Sequence, residues 1–346
     1  MFTLEQMLVP IWDTDVVYGE SFTMYRDKSG EISAKFLYEP TELIEVRSAS
    51  LKTLYKEGSD YIIKDGRIIL TENTSIPFFE YDEIFMKEPI AGMSFPYPDG
   101  HLLFSEGHFF HDRQIAVTYR CKRGGWNGYV PEYKGDVLHR TVRRLTEEKK
   151  LKLVLYGDSI SVGGNASGVT SAEPFQPCFG ELLAETLRRK YEADVKFVNP
   201  SVGGKDSTWG MRELDERVIA ENPDLVILAF GMNGKHKPEA FESHIKDMID
   251  RIKAANADTD IILIATTTPN PILRDARAMF WNYQYLYGET LKKFESDGIT
   301  LLDMGALQRE LHKNKRFIDT TGNNVNHLND FFVRIHVQAL STMLIK

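Results

Sequence analysis

The chain has 346 residues, 50 of them acidic and 42 basic, with a net charge of −8 and a hydrophobic fraction of 42%. That length is too great for one ordinary core and suits two domains. The acidic balance argues against a nucleic-acid binder, and no stretch approaches the roughly 18 apolar residues of a membrane span. Met1 to Asp13 lacks a basic segment followed by a long apolar run, so the chain as given is expected to be cytoplasmic. Cys121 and Cys178 are expected to be buried thiols, because no C-x-x-C spacing exists.

From about residue 14 to 120 the sequence alternates short β-prone runs with turn signals. Ile32 to Tyr38 follows the turn at Ser29-Gly30. Tyr61-Ile62-Ile63 and Ile68-Ile69-Leu70 flank Lys64-Asp65-Gly66-Arg67, a hairpin signal. Pro96 to Gly100 reads as a turn, and Ile115 to Arg120 alternates as a strand does. This spacing predicts an antiparallel, jelly-roll-like β-sandwich over residues 1–120. Residues 121–150 read as a linker ending in a charged helix, with the basic cluster Arg140 to Lys152 on its solvated face.

Residues 151–346 change texture. Strands are predicted at Leu151 to Tyr156, Val195 to Val198, Asp224 to Phe230, Ile261 to Ala265 and Ile299 to Leu302. Helices are predicted at Gln176 to Tyr191, Pro238 to Ala254, Ala276 to Glu295 and Asp330 to Leu344. The nearly continuous apolar strands suit a parallel sheet covered on both faces, and strand–helix alternation implies an α/β fold.

Four loops carry chemistry. The first strand runs into Gly157-Asp158-Ser159, and in an open parallel sheet ligands bind beyond the carboxyl ends of strands. The same three residues also make good turn chemistry. The second loop, Asn199 to Ser207, contains Gly203 and Gly204, where a backbone N–H can approach a developing oxyanion or simply form a tight turn. It is no phosphate loop, because Asn199 and Asp206 stand where glycine and Ser or Thr are required. The third strand ends in Gly231-Met232-Asn233, whose asparagine suits an oxyanion donor or a turn. The fourth loop places His327 just before the last helix, and histidine is the base a serine nucleophile needs. His108 and His111 match no zinc signature, and no metal or cofactor is expected.

In this order and placement the four loops resemble the SGNH hydrolases, also called the GDSL family, over about residues 150–346. The resemblance implies a flavodoxin-like domain and an esterase working through an acyl-enzyme. Ser159 then looks like the nucleophile and His327 like the general base. The Ser159 and Gly204 N–H groups, with the Asn233 side chain, look like the oxyanion hole. Gly203 is the alternative second-loop glycine. The family places an aspartate three residues before the histidine, but this chain has Asn324 there. The resemblance therefore implies a Ser–His dyad oriented by Asn324 or a backbone carbonyl, with Asp319 or Asp330 as substitute acids. Asp330 is otherwise placed to cap the last helix.

An N-terminal sandwich ahead of such a domain resembles carbohydrate acetyl esterases. That implies removal of small acyl groups from an oligosaccharide or similar small ester. The alternatives are a lipid or thioester acyl hydrolase and a catalytically impaired glycan-binding module. Trp209 is expected to line the substrate pocket or pack between domains, and Trp281, Tyr283, Tyr285 and Tyr287 to share one helix, more as core than as a sugar-stacking face.

Overall fold

The computed structural model describes residues 2–274 and 282–346. The N-terminal part contains ten strands: β1 (Val16–Thr23), β2 (Ser33–Lys35), β3 (Pro40–Ser48), β4 (Leu54–Tyr55), β5 (Tyr61–Lys64), β6 (Arg67–Leu70), β7 (Phe85–Met86), β8 (Ser94–Tyr97), β9 (Gly100–Leu103) and β10 (Gln114–Cys121). Two one-turn helices, α1 (Leu4–Met7) and α2 (Tyr81–Ile84), accompany them. The strands form three small antiparallel sheets, ordered β1-β10-β3-β4, β2-β6-β5 and β7-β9-β8. The first two bury a shared aromatic core, in which Phe36 lies edge-on to Phe22 and Tyr119 at centroid distances of 5.2 and 4.9 Å. The β5–β6 hairpin turns at Asp65-Gly66, both at positive φ, as its sequence requires.

Short helix α3 (His139–Arg143) and a wider turn to Glu148 lead into the second part. Here the cluster from Arg140 to Lys152 is paired rather than merely solvated. Arg140 reaches Asp258, Asp260 and Asp297, Arg144 reaches Asp224 and Glu148, and Lys152 reaches Glu221. Except for Glu148, four residues from Arg144, these partners lie far away in sequence, at or near the starts of the neighbouring strands.

The parallel sheet contains β11 (Lys150–Gly157), β12 (Asp194–Val198), β13 (Leu225–Ala229), β14 (Asp260–Ala265) and β15 (Ile299–Asp303), in the order β12-β11-β13-β14-β15. That is the flavodoxin-like order, with the reversal beside β11. Its helices are α4 (Ser159–Val162), α5 (Phe179–Tyr191), α6 (Ser207–Arg217), α7 (Pro238–Ala255), α8 (Tyr287–Lys292), α9 (Met304–Leu311) and α10 (Asp330–Leu344). Helix α6 was not legible because Gly210 and its charged run blur the periodicity. Helix α9 begins directly at the end of β15, with Asp303 as its cap.

The long helix expected at Ala276 to Glu295 is helical, among the described residues, only over Gln284–Leu286 and α8. Its first part, including Trp281, lies outside the described residues. Tyr287 is core: it stacks on Phe241 at 3.9 Å and donates to the His236 carbonyl. Tyr285 is exposed, and Tyr283 packs at the edge of the same cluster.

Helix α10 explains how the two parts meet. All of its residues but Thr342 are buried. Although Asp330, Arg334, His336, Gln338, Ser341 and Thr342 are polar, the helix is covered on nearly every side. One side of α10 packs on α5, and another meets β1 of the antiparallel region. One continuous hydrophobic core consequently runs from Phe22 and Val117 through Phe332 and Leu340 to Leu153 and Ile227. Two polar residues on α10 bond across this seam: Arg334 donates to the Gly19 and Tyr18 carbonyls, and also to Gln176, while Gln338 donates to the Met7 carbonyl. Burial pushes the Arg334 guanidinium down to about 10 and the His336 imidazole down to about 4. Both cysteines are free and buried. No helix among the described residues is long and apolar enough to cross a membrane.

Candidate active site

Strand β11 ends at Gly157, directly beside Ala229 of β13, and delivers Ser159 to the C-terminal edge of the sheet. Asp158 caps α4 by accepting from the Ile160 N–H at 3.0 Å, and its other oxygen accepts from the Met232 N–H at 3.3 Å. It thereby ties the serine turn to the loop after β13. Burial drives the Asp158 carboxyl up to about 6, against the lowering effect of those two N–H groups and of His327.

His327 Nε2 lies 2.8 Å from Ser159 Oγ. The ring can come this close because Gly164 has no side chain; a Cβ there would sit 3.0 Å from the imidazole. On the far side of the ring, Nδ1 lies 2.6 Å from Asn165 Oδ1 and 3.1 Å from Glu106 Oε2. The Asn165 amide orientation is fixed, since its Nδ2 donates to the Gly107 carbonyl at 2.7 Å. Nδ1 therefore faces two acceptors and must carry the proton. Nε2 is left with its lone pair toward the serine hydroxyl.

Asn323 holds the histidine loop together. Its Oδ1 accepts from the N–H groups of Val325, Asn326 and His327, and its Nδ2 donates to Asn326 and, at 3.2 Å, to Glu106 Oε1. Burial alone would raise the Glu106 carboxyl. The hydrogen bonds and charge of His327, with Asn323 and Asn165, outweigh it and hold the group below the usual carboxylate range.

Asn324 does not occupy the position expected of it. It is buried at φ +65°, with Nδ2 donating to the Leu103 carbonyl at 3.0 Å and Oδ1 accepting from Asn270 at 3.2 Å. Its side chain is committed to the antiparallel region instead of to His327. The substitute acids are also placed elsewhere. Asp319 binds Arg316 and the Thr23 N–H, and Asp330 accepts from the Ser167 N–H. The cap of α10 is Asn329, one residue before Asp330. Asn165 and Glu106, the residues that do meet Nδ1, carry no sequence signal: they stand 162 and 221 positions from His327.

The second and third loops flank Ser159. The Val202 N–H donates to the Gly157 carbonyl, and a Cβ on Gly203 would lie 3.7 Å from Ser159 Cβ. Gly204 adopts φ +73°. The Asn233 amide donates to the Lys205 carbonyl at 3.2 Å, joining the two loops. Trp209 packs on Tyr156 and Phe230 with the Arg217 guanidinium and the Lys205 ammonium of the second loop over its ring. Neither of these rings belongs to the antiparallel region. His108 pairs with Asp112, and His111 binds the Glu173 carbonyl. No cluster of three or more metal-ligating side chains exists among the described residues.

The sheet order and its flanking helices define a flavodoxin-like α/β domain, with serine and histidine at its ligand-binding edge. Residues 155–336 match the model of the GDSL-like lipase/acylhydrolase family, and the chain belongs to that family. An arylesterase from Vibrio mimicus is 28% identical over 116 residues, which is 33% of this chain and 54% of that protein. Among solved structures, a two-domain esterase (CEX) active on acetylated mannans superposes with a TM-score of 0.50 at 17% identity, covering 62% of this chain and 54% of that one. An acetylxylan esterase (Axe2) from Geobacillus stearothermophilus gives 0.45 at 20% identity, over 55% of this chain and 92% of that one. The chain thus spans about half the length of the arylesterase and of the mannan esterase.

Proposed function

We propose that this chain is a serine esterase that removes acetyl or similarly small acyl groups from a carbohydrate. The observation that carries the chemistry is the 2.8 Å contact between Ser159 Oγ and His327 Nε2, on a ring whose Nδ1 proton is already committed. The Ser159 oxygen attacks the ester carbonyl while its proton moves to Nε2. The Ser159 and Gly204 N–H groups and the Asn233 amide hold the oxyanion. Collapse breaks the bond to the alkoxy oxygen, which leaves as the alcohol with the proton from Nε2. A water then attacks the acyl-enzyme, returning one proton through Nε2 to Ser159 Oγ and releasing the acid. Every proton moves between Ser159, His327, substrate and water.

The carbohydrate part of the reading draws on the two-domain esterase active on acetylated mannans, whose fold this chain shares. The test is acetate release from p-nitrophenyl acetate and from acetylated manno- and xylo-oligosaccharides. Turnover by the wild type and its loss in Ser159→Ala support the reading. Preference for acyl chains of eight carbons or more replaces acetyl with a lipid-like substrate. Tight binding of acetylated oligosaccharide without acetate release makes the protein a glycan-binding module.

A further inference from the structure

We propose that Glu106, supplied by the antiparallel region, is the charged residue that positions His327, taking over the work that an acid at position 324 does elsewhere in the family. This rests on the reading of Ser159 and His327 as nucleophile and base. Glu106 Oε2 lies 3.1 Å from His327 Nδ1, while Asn324 bonds to Leu103 and Asn270.

The loop after β9 is fixed so that Glu106 stays in place. Asn324 clamps the Leu103 carbonyl before it, and Asn165 clamps the Gly107 carbonyl after it. Asn323 bonds Glu106 Oε1 with the same side chain whose oxygen receives the His327 N–H. Asn324 has therefore exchanged direct contact with the histidine for holding the segment that delivers an acid from 221 positions away. The depressed Glu106 carboxyl agrees with a group that remains ionised beside the imidazole.

Asn165 and Glu106 divide the work at Nδ1. The Asn165 oxygen, at 2.6 Å, fixes the tautomer but carries no charge. When Nε2 takes the serine proton the ring becomes a cation, and only a carboxylate balances it by charge. The charged groups facing His327 are Glu106 and the buried Asp158 beside Ser159; its remaining side-chain partners, Asn165 and Ser159, are neutral. The Glu106 side chain is 52% exposed, so solvent screens its charge and the effect is smaller than that of a buried triad aspartate. For the same reason, changing it need not disturb folding.

The experiment compares wild type, Glu106→Gln, Glu106→Asp and Ser159→Ala on p-nitrophenyl acetate from pH 4 to 9, with melting temperature as a fold control. Glu106→Gln is expected to lower kcat by roughly 10- to 100-fold with KM within about twofold, well short of the ~10⁴ of a buried triad aspartate. The acid limb of its kcat/KM profile should move down by about one pH unit, because the ring loses its counter-charge. Glu106→Asp keeps the charge and should keep the acid limb near its wild-type position. A Glu106→Gln enzyme with kcat within threefold of wild type overturns the proposal. So does a lowered kcat with an unmoved acid limb, which marks a structural role. If the wild type is inactive, or Ser159→Ala is fully active, the esterase reading itself fails; a dead Ser159→Ala beside an unaffected Glu106→Gln sinks only this inference.

Discussion

Two polar clusters draw on residues of both the antiparallel region and the α/β part, and they are built to opposite ends. At the seam, Lys315 and Glu20 are both 0% exposed and lie 2.6 Å apart. Glu20 also accepts from Tyr119 and the Leu37 N–H, and Asp319 accepts from Arg316 and the Thr23 N–H. At the cleft, Glu106 is 52% and His327 12% exposed, and Nε2 faces a serine at the sheet edge. In the seam every charge is committed to a partner, so the cluster locks one part to the other. In the cleft one charge meets solvent and one lone pair faces a nucleophile, so protons can move. The segment from Lys315 to Asn329 serves both, which is how the antiparallel region is held in register with the histidine loop.

The sharpest break between the clusters comes from Ser159→Ala. It should lower kcat by about 10⁴-fold or more, by analogy with nucleophile removal in serine proteases, while the melting temperature stays put. Lys315→Met should do the reverse. It leaves the Glu20 carboxylate buried without its cation and should cost about 3–5 kcal/mol in urea unfolding, with kcat per folded molecule unchanged. A kcat that falls along with stability would mean that the seam also shapes the cleft. Asn233→Ala removes a proposed oxyanion donor and should cost about 10²–10³-fold in kcat with little change in KM.

A pH experiment separates the clusters more finely. The folded Asp158 carboxyl, at about 6, lies above its unfolded value, so the folded state holds the extra proton between about pH 4 and 6 and loses stability as pH rises through that window. Asp319 is depressed, so its contribution is present above the unfolded value near 4 and is lost as pH falls through the still lower folded one. The stability of Asp158→Asn relative to wild type should therefore improve by about 2–3 kcal/mol between pH 4 and 7. An unfolding series that shows no such slope contradicts the assignment of Asp158 as a buried, burdened carboxyl.

What the sequence revealed follows the range of the interactions. Strands β13 and β14 are legible because both faces are buried and their apolar runs are local. The Gly-Asp-Ser turn, the glycines of the second loop, Asn233 and His327 are legible because each follows a strand end or precedes a helix. Strand β1 was not picked out: Glu20, Ser21 and Thr23 are polar yet buried, and their partners Lys315, Asn329 and Asp319 lie about 300 positions away. Asn324 was placed at the histidine by the resemblance to the family, whose aspartate stands at that position, and nothing local shows that its amide turns to Leu103. The residues at Nδ1, Asn165 and Glu106, come from two other loops, so only the folded chain brings them to His327.

The most direct test of the central claim is to quench the wild-type protein during turnover of p-nitrophenyl acetate and locate the acetyl group by peptide mass spectrometry. The account predicts an initial burst of p-nitrophenol and an acetyl group on the peptide bearing Ser159, both absent in Ser159→Ala. Turnover that persists in Ser159→Ala, or an acetyl group that maps to another residue, would contradict it.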